Sequence, residues 1–257
     1  MHGALTDPVD RFPHPFHLVV REETDSTNDE ARRFAAEGAA HGLVVMARKQ
    51  TKGRGRRGAT WFSDPDASLT FSVLLRPTQP KALWPRFALA AGVAVAEATE
   101  AFGARPSVKW PNDVWIHGRK LAGILVEAGQ DHVVTGIGIN VRDAAMPPDL
   151  ARTTTSLASS CGRDADPQEV LDEVIRRLAT RLAMIEDAFS SVVRAANERC
   201  ALTGHRVRLD CHRGSLEGTV RGIAPGGELL LETETGMETL LQADSIRIIN
   251  PALDTQG

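Results

Sequence analysis

The sequence predicts an α+β fold: a mixed β-sheet flanked by helices, with a small β-barrel appended at the C-terminal end. Three observations predict it. Short β-rich runs alternate with helical periodicity through the first half of the chain, one amphipathic helix follows at 167–189, and from about Gly204 the texture changes to brief strands broken by turns. At 257 residues with 42% hydrophobic content, the chain has room for one large domain and a satellite. The expected division is a domain over 15–202 and a second over 203–251.

The elements follow in order. After a Pro- and His-rich leader, 16–20 reads as a strand, and Asp25-Ser26-Thr27-Asn28 leads into a helix ending near Gly38; Thr27 with Glu30 three residues on fits a capping box. The run 43–47 is β-rich, 50–58 is a loop crowded with glycine and arginine, and 68–75 is a second apolar strand. A buried helix is expected over 82–102, closed by Gly103, with strands at 114–116, 120–128 and 133–140. Pro147 and Pro148 interrupt the pattern. The helix at 167–189 repeats apolar residues at Val170, Val174, Leu178, Leu182 and Ile185, with Pro167 at its start. Strands at 207–209, 218–223, 229–232 and 238–241 complete the small β region, broken by Pro225-Gly226-Gly227 and Thr235-Gly236.

Composition excludes several classes. A net charge of -3 with no strongly basic half argues against generic nucleic-acid or anionic-membrane binding, so any anion site is local. Cys161, Cys200 and Cys211 form no metal-binding or disulfide pattern. No leader of the secretory type is read at 1–15, and the longest apolar stretch, 87–96, is too short to cross a bilayer; a cytoplasmic protein is expected.

Three segments carry chemistry. Gly53-Arg54-Gly55-Arg56-Arg57-Gly58 places three guanidinium groups in a loop whose glycines allow close backbone approach to a ligand. Such forks can neutralise a carboxylate and a phosphate held together, although a solvated basic turn or an RNA-binding loop has the same composition. Lys109-Trp110-Pro111-Asn112-Asp113 fixes an amide and a carboxylate at a turn, and Lys120 opens the apolar strand that follows. Gly136-Ile137-Gly138-Ile139-Asn140 sets two glycines along a strand, either for packing or to clear room for a flat ring.

Taken together and in this order, residues 25–28, Gln50 with 53–58, Trp61-Phe62, 109–113, 120–123 and 136–140 resemble the bacterial biotin protein ligases. The two most specific segments are the arginine-glycine loop and Lys-Trp-Pro-Asn-Asp. The resemblance implies a class II synthetase-like catalytic domain, a C-terminal SH3-like barrel, and activation of biotin with ATP and Mg²⁺ before transfer to a lysine of a biotin carboxyl carrier protein, with acetyl-CoA carboxylase the expected source. It implies that Ser26, Thr27, Asn28 and Gln50 line the biotin pocket with Gly53 and Gly123. Arg54, Gly55, Arg56 and Lys120 would meet biotin's carboxylate and the α-phosphate, Trp61 would stack on adenine, Asn112 and Asn140 would flank the nucleotide, and Asp113 would orient the attacking amine. Only about fifteen residues precede the first expected strand, where a ligase that doubles as a repressor carries a winged-helix domain, so no operator binding is expected. A homodimer is left open. A lipoate ligase of the same broad fold is the nearest rival, and an RNA-binding module using the arginine loop is the rival from another class.

Overall fold

The computed structural model describes residues 5–6, 11–212 and 214–249. The elements are β1 (Leu5–Thr6), β2 (His17–Thr24), α1 (Thr27–Ala36), β3 (Leu43–Gln50), β4 (Ser68–Leu75), α2 (Arg86–Glu100), β5 (Ser107–Lys109), β6 (Asp113–Ile116), β7 (Arg119–Ala128) and β8 (Val133–Asn140). Then come α3 (Pro148–Thr153), α4 (Leu157–Cys161), α5 (Pro167–Ala183), α6 (Phe189–Glu198), β9 (Arg206–Cys211), β10 (Gly214–Ile223), β11 (Leu229–Thr233), β12 (Gly236–Leu240) and β13 (Ser245–Ile248).

The first eight strands form one mixed sheet in the order β1-β2-β3-β4-β8-β7-β6-β5. Its one parallel pair is β2 with β3, and α1 supplies the crossover that parallel neighbours require. Every residue of β4 and β8 is buried, which marks them as the central strands, covered on both faces. The alternation of side chains sorts the two faces. Leu43, Val45, Leu74 and Val134 pack with Ala31 and Ala35 of α1, while Val44, Met46, Val73 and Val133 enter the larger core with α2 and α5.

The C-terminal strands make a second, antiparallel sheet in the order β12-β11-β10-β9-β13, as expected of a small β domain. It is tied to the first domain by a reciprocal pair, in which Asn197 Nδ2 donates to the Ile223 carbonyl at 2.9 Å and Ile223 N–H donates to Asn197 Oδ1 at 2.8 Å. The buried Trp110 indole adds a bond to the Gly227 carbonyl at 2.9 Å. The expected division at 203 falls in the connection between α6 and β9. No helix among the described residues is long and apolar enough to cross a membrane, and the three cysteines are free.

Several expectations are corrected. The helix read over 167–189 is two helices: α5 stops at Ala183, and Phe189 opens α6. Ile185 continued the apolar rhythm because it is buried in the connecting turn. The helix read from 82 begins at Arg86, after a 3-10 turn at Lys81–Leu83. Gln50 is the last residue of β3 rather than the start of a loop. Helices α3 and α4 follow the prolines that were read only as an interruption, with Pro148 at the first helical position, where its missing N–H costs nothing. The capping box is absent: Ser26, not Thr27, is the N-cap of α1, and it makes no side-chain cap bond.

Candidate active site

The cleft lies on the α1 face of the large sheet. Register there builds two rows of opposed residues, Thr70–Gly138–Gly123–Asp113 and Ser72–Gly136–Leu125. Apart from Leu125, both rows are lined by small or polar groups at positions that would otherwise bury apolar side chains, which leaves an open floor between α1 and the loop over 51–67. About 460 Å³ of atom-free space, part of it open solvent, lies above it.

One end of the floor is a buried polar set. Thr27 donates from both its N–H (2.8 Å) and its hydroxyl (3.1 Å) to Gln50 Oε1, and Ser72 Oγ lies within 2.7 Å of Thr27 Oγ1 and 2.6 Å of Asn28 Oδ1. Asn28 Nδ2 donates to Glu127 Oε2 at 2.7 Å. This explains why Ser26, Thr27 and Asn28, all buried, sit at a helix start without a side-chain cap bond: their polar groups are turned into the sheet and the cleft. Gly136 is required because a β-carbon there would overlap the Asn28 carboxamide.

The other end carries the cations. Arg54 is ion-paired with Asp29 and approaches Glu127 at 3.4 Å; the Arg54 guanidinium, before Arg32, holds the Asp29 carboxyl down at about 2. Arg56 donates to Asn112 Oδ1 and to the Ala243 carbonyl, each at 3.0 Å, and burial followed by the neighbouring Arg57 charge lowers its proton affinity. Lys120 reaches across from β7, with its Nζ 2.7 Å from Asp113 Oδ1 and 5.8 Å from the centre of the Trp61 ring. Thr155 N–H donates to the Lys120 carbonyl at 2.9 Å, fixing the backbone that carries this amine. Lys109, beside Asp113 and 4.3 Å above the Trp115 ring, is also pushed down by burial.

The flat ring for which Gly138 clears room is the protein's own: a β-carbon at Gly138 would overlap the Trp61 indole. The Trp61 Nε1 is buried and has no partner, so this face keeps one donor in reserve. The Asn112 amide is fixed by a bond from its Nδ2 to the Ile124 carbonyl at 2.8 Å.

The cleft therefore gathers Ser26, Thr27, Asn28, Gln50, Arg54, Gly55, Arg56, Trp61, Asn112, Lys120 and Gly123, with Asp113 joined to it through Lys120. Two expected residues do not line it. Gly53 stands behind the loop, where its carbonyl accepts from Trp61 N–H at 2.9 Å and a β-carbon would press on the Trp61 backbone at 2.5 Å. Asn140 is buried and donates to the Thr155 carbonyl at 3.1 Å, since its position in β8 turns its amide toward the segment that holds Lys120. Asp29, Glu127, Thr70 and Ser72 were missed by sequence reasoning; only the alternation along β4 and β7 could have placed the last three on the floor.

The chain as a whole is similar to known proteins. Residues 20–142 match a family described as "Biotin/lipoate A/B protein ligase family". The chain is 35% identical to a Mycobacterium tuberculosis protein named biotin--[acetyl-CoA-carboxylase] ligase, over 84% of this chain and 83% of that one. It is 34% identical to a Bacillus subtilis bifunctional ligase/repressor BirA, over 89% and 73%. A solved biotin protein ligase from Aquifex aeolicus, in complex with biotin and ATP, superposes with a TM-score of 0.82 at 33% identity, covering 90% of this chain and 99% of that one.

Proposed function

This chain belongs to the biotin/lipoate A/B protein ligase family as a biotin protein ligase, and we propose that the cleft described above is where biotin is joined to AMP and then passed to a carrier lysine. The observation that carries this reading is the convergence of Arg54 and Arg56 from one loop with Lys120 from β7 on a single cleft.

In the first step a carboxylate oxygen of biotin attacks the α-phosphorus of ATP and pyrophosphate leaves, so two anions must meet. Their repulsion is the barrier, and fixed cations in a site shielded from water offset it more than the same cations in bulk solvent. In the proposed assignment Arg54, Arg56 and Lys120 hold the meeting oxygens, with Gly55 giving the loop backbone close approach. Ser26, Thr27, Asn28 and Gln50 bind the ureido ring, Gly123 lets the Lys120 amine fold over it toward the acid, and Trp61 and Asn112 border the nucleotide. Asn140 acts indirectly, through the Thr155 carbonyl and thus the Lys120 strand. In the second step Asp113 orients the carrier amine and receives its proton, and the amine displaces AMP from the mixed anhydride.

Mg²⁺ is proposed to enter with ATP. The described residues contain no group of three His, Cys, Asp or Glu side chains that could hold an ion, and no step is assigned to the metal. The proposed acceptor is the biotin carboxyl carrier of acetyl-CoA carboxylase, the enzyme in the names of the relatives. Against the RNA-binding alternative, Arg54 faces Asp29 and Glu127 and Arg56 is half-buried, so the loop is not an open basic surface.

Pyrophosphate exchange with ATP and either biotin or lipoate tests the reading. Exchange with biotin, and labelling of a carrier lysine, is expected. Exchange with lipoate alone, or none with either acid, would refute it.

A further inference from the structure

The arginine-rich loop is held from outside the cleft as well as from within. The connection between β12 and β13 carries Ala243 and Asp244; the Ala243 carbonyl accepts from Arg56 Nη2 at 3.0 Å, and Asp244 is ion-paired with Arg57. These acceptors are themselves anchored. Ala243 is buried, and Asp244 N–H donates to the Asp210 carbonyl of β9 at 2.7 Å, so the connection is part of the C-terminal sheet rather than a free turn. Arg57 has φ of 57°, a left-handed conformation that a residue with a β-carbon leaves unless its surroundings hold it. Within the loop, Gly55 N–H donates to the Ala59 carbonyl at 2.7 Å and Ala59 N–H to the Arg56 carbonyl at 3.1 Å, closing a tight turn. Two consecutive side chains of that turn, Arg56 and Arg57, both reach the C-terminal sheet, whereas Arg54 reaches Asp29 on the first domain. The loop thus bridges the two domains.

We propose that Asp244 is a positioning residue for the ligase reaction: through Arg57 it latches the arginine-rich loop over the cleft, so retention of the adenylate depends on a carboxylate that does not line the site. This rests on the ligase reading above. It gives the C-terminal sheet a mechanical task. With the latch open, the loop is tied only through Arg54, Arg56 and its own turn, and the cleft loses part of its cover.

Asp244→Asn, Asp244→Glu and the charge exchange Arg57→Asp with Asp244→Arg test the proposal through two rates. One is tryptic cleavage within 52–56 of the ligand-free protein, followed by mass spectrometry. The other is release of biotinyl-adenylate from preloaded enzyme, chased with unlabelled biotin. Both rates are expected to rise about two- to fivefold in Asp244→Asn, the range that a partly exposed ion pair supports. Both are expected to return toward wild type in Asp244→Glu and in the charge exchange, which a merely structural role for the side chain would not produce. Cleavage and release that stay at wild-type rates, or that change one without the other, overturn the proposal, as does a charge exchange no closer to wild type than its single variants. If the wild type forms no biotinyl-adenylate, the ligase reading fails on its own, and the tryptic rates still decide whether Asp244 latches the loop.

Discussion

Lys120 Nζ lies 2.7 Å from Asp113 Oδ1 although the two residues are not register partners: Lys120 is opposite Trp115, and Asp113 is opposite Gly123. The amine folds back over Gly123, which has no side chain to stop it, to reach a carboxylate further along the neighbouring strand. The cation and the acid proposed for successive steps thus share one contact. Lys120→Ala should lower biotin-dependent pyrophosphate exchange by about 10²–10³-fold, the usual loss when one preorganised electrostatic contact is removed. The thermal midpoint should stay close to wild type, because Lys120 is partly exposed. Exchange at the wild-type rate would contradict its role.

Asp113→Asn separates the half-reactions. Adenylate formation should persist, while single-turnover transfer from preformed adenylate to the carrier slows by about 10²-fold or more, as for loss of a general base. Equal slowing of both steps would assign Asp113 to holding Lys120 instead.

Gly138→Ala places a β-carbon inside the Trp61 ring, so the indole must leave the sheet. A cost of about 1–3 kcal/mol is expected from overpacking, seen as a lower urea midpoint, together with weaker ATP binding by calorimetry. Retained ATP affinity would detach Trp61 from the nucleotide.

Asp29 titrates at about 2 in the fold against an ordinary 3.8, chiefly because Arg54 donates to it. A carboxyl whose folded value lies below its unfolded one contributes stability that is complete above the unfolded value and is lost as the pH falls through the folded one. Its partial exposure reduces the contribution, so Asp29→Asn should destabilise the protein by about 1–2 kcal/mol near neutral pH. The gap from wild type should narrow between about pH 4 and pH 2. A gap of constant size across that range, measured by denaturant titration, would show that the Arg54 pair is not its source.

Trp110→Phe removes the bond to the Gly227 carbonyl while filling most of the same buried space. A loss of about 1 kcal/mol is expected, since the carbonyl on the C-terminal sheet is left without its donor. No change in midpoint would indicate that this bond does not help to join the domains.

Sequence reading reached far where local pattern and tertiary packing agree. The central strands at 68–75 and 133–140 were placed with their observed bounds, because in each a run rich in Val, Ile, Leu, Phe and Thr lies between turn-forming segments. It fell short where an element is brief or its pattern continues past its end. The three residues of β5 and the four of β13 are too short to show alternation, and the buried Ile185 masked the break between α5 and α6. Thr27 and Glu30 had the spacing of a capping box, yet Gln50, arriving from the parallel neighbour strand, takes the Thr27 N–H and hydroxyl instead. In the cleft the cations Arg54 and Arg56 were legible because they share a glycine-rich loop. Their counterions were not: Asp29 and Glu127 lie 25 and 73 residues from Arg54, and only the crossover of α1 and the pairing of β7 bring them together.

The Asn112 carboxamide is held by Ile124 on its donor side, and the Asn112 backbone carbonyl accepts from Ile124 N–H at 2.8 Å. What remains toward the cleft is an acceptor, Oδ1, which Arg56 engages. One amide whose orientation is locked by its own strand neighbour thereby fixes the guanidinium above it, and the aim of a loop side chain becomes a property of how two strands are joined.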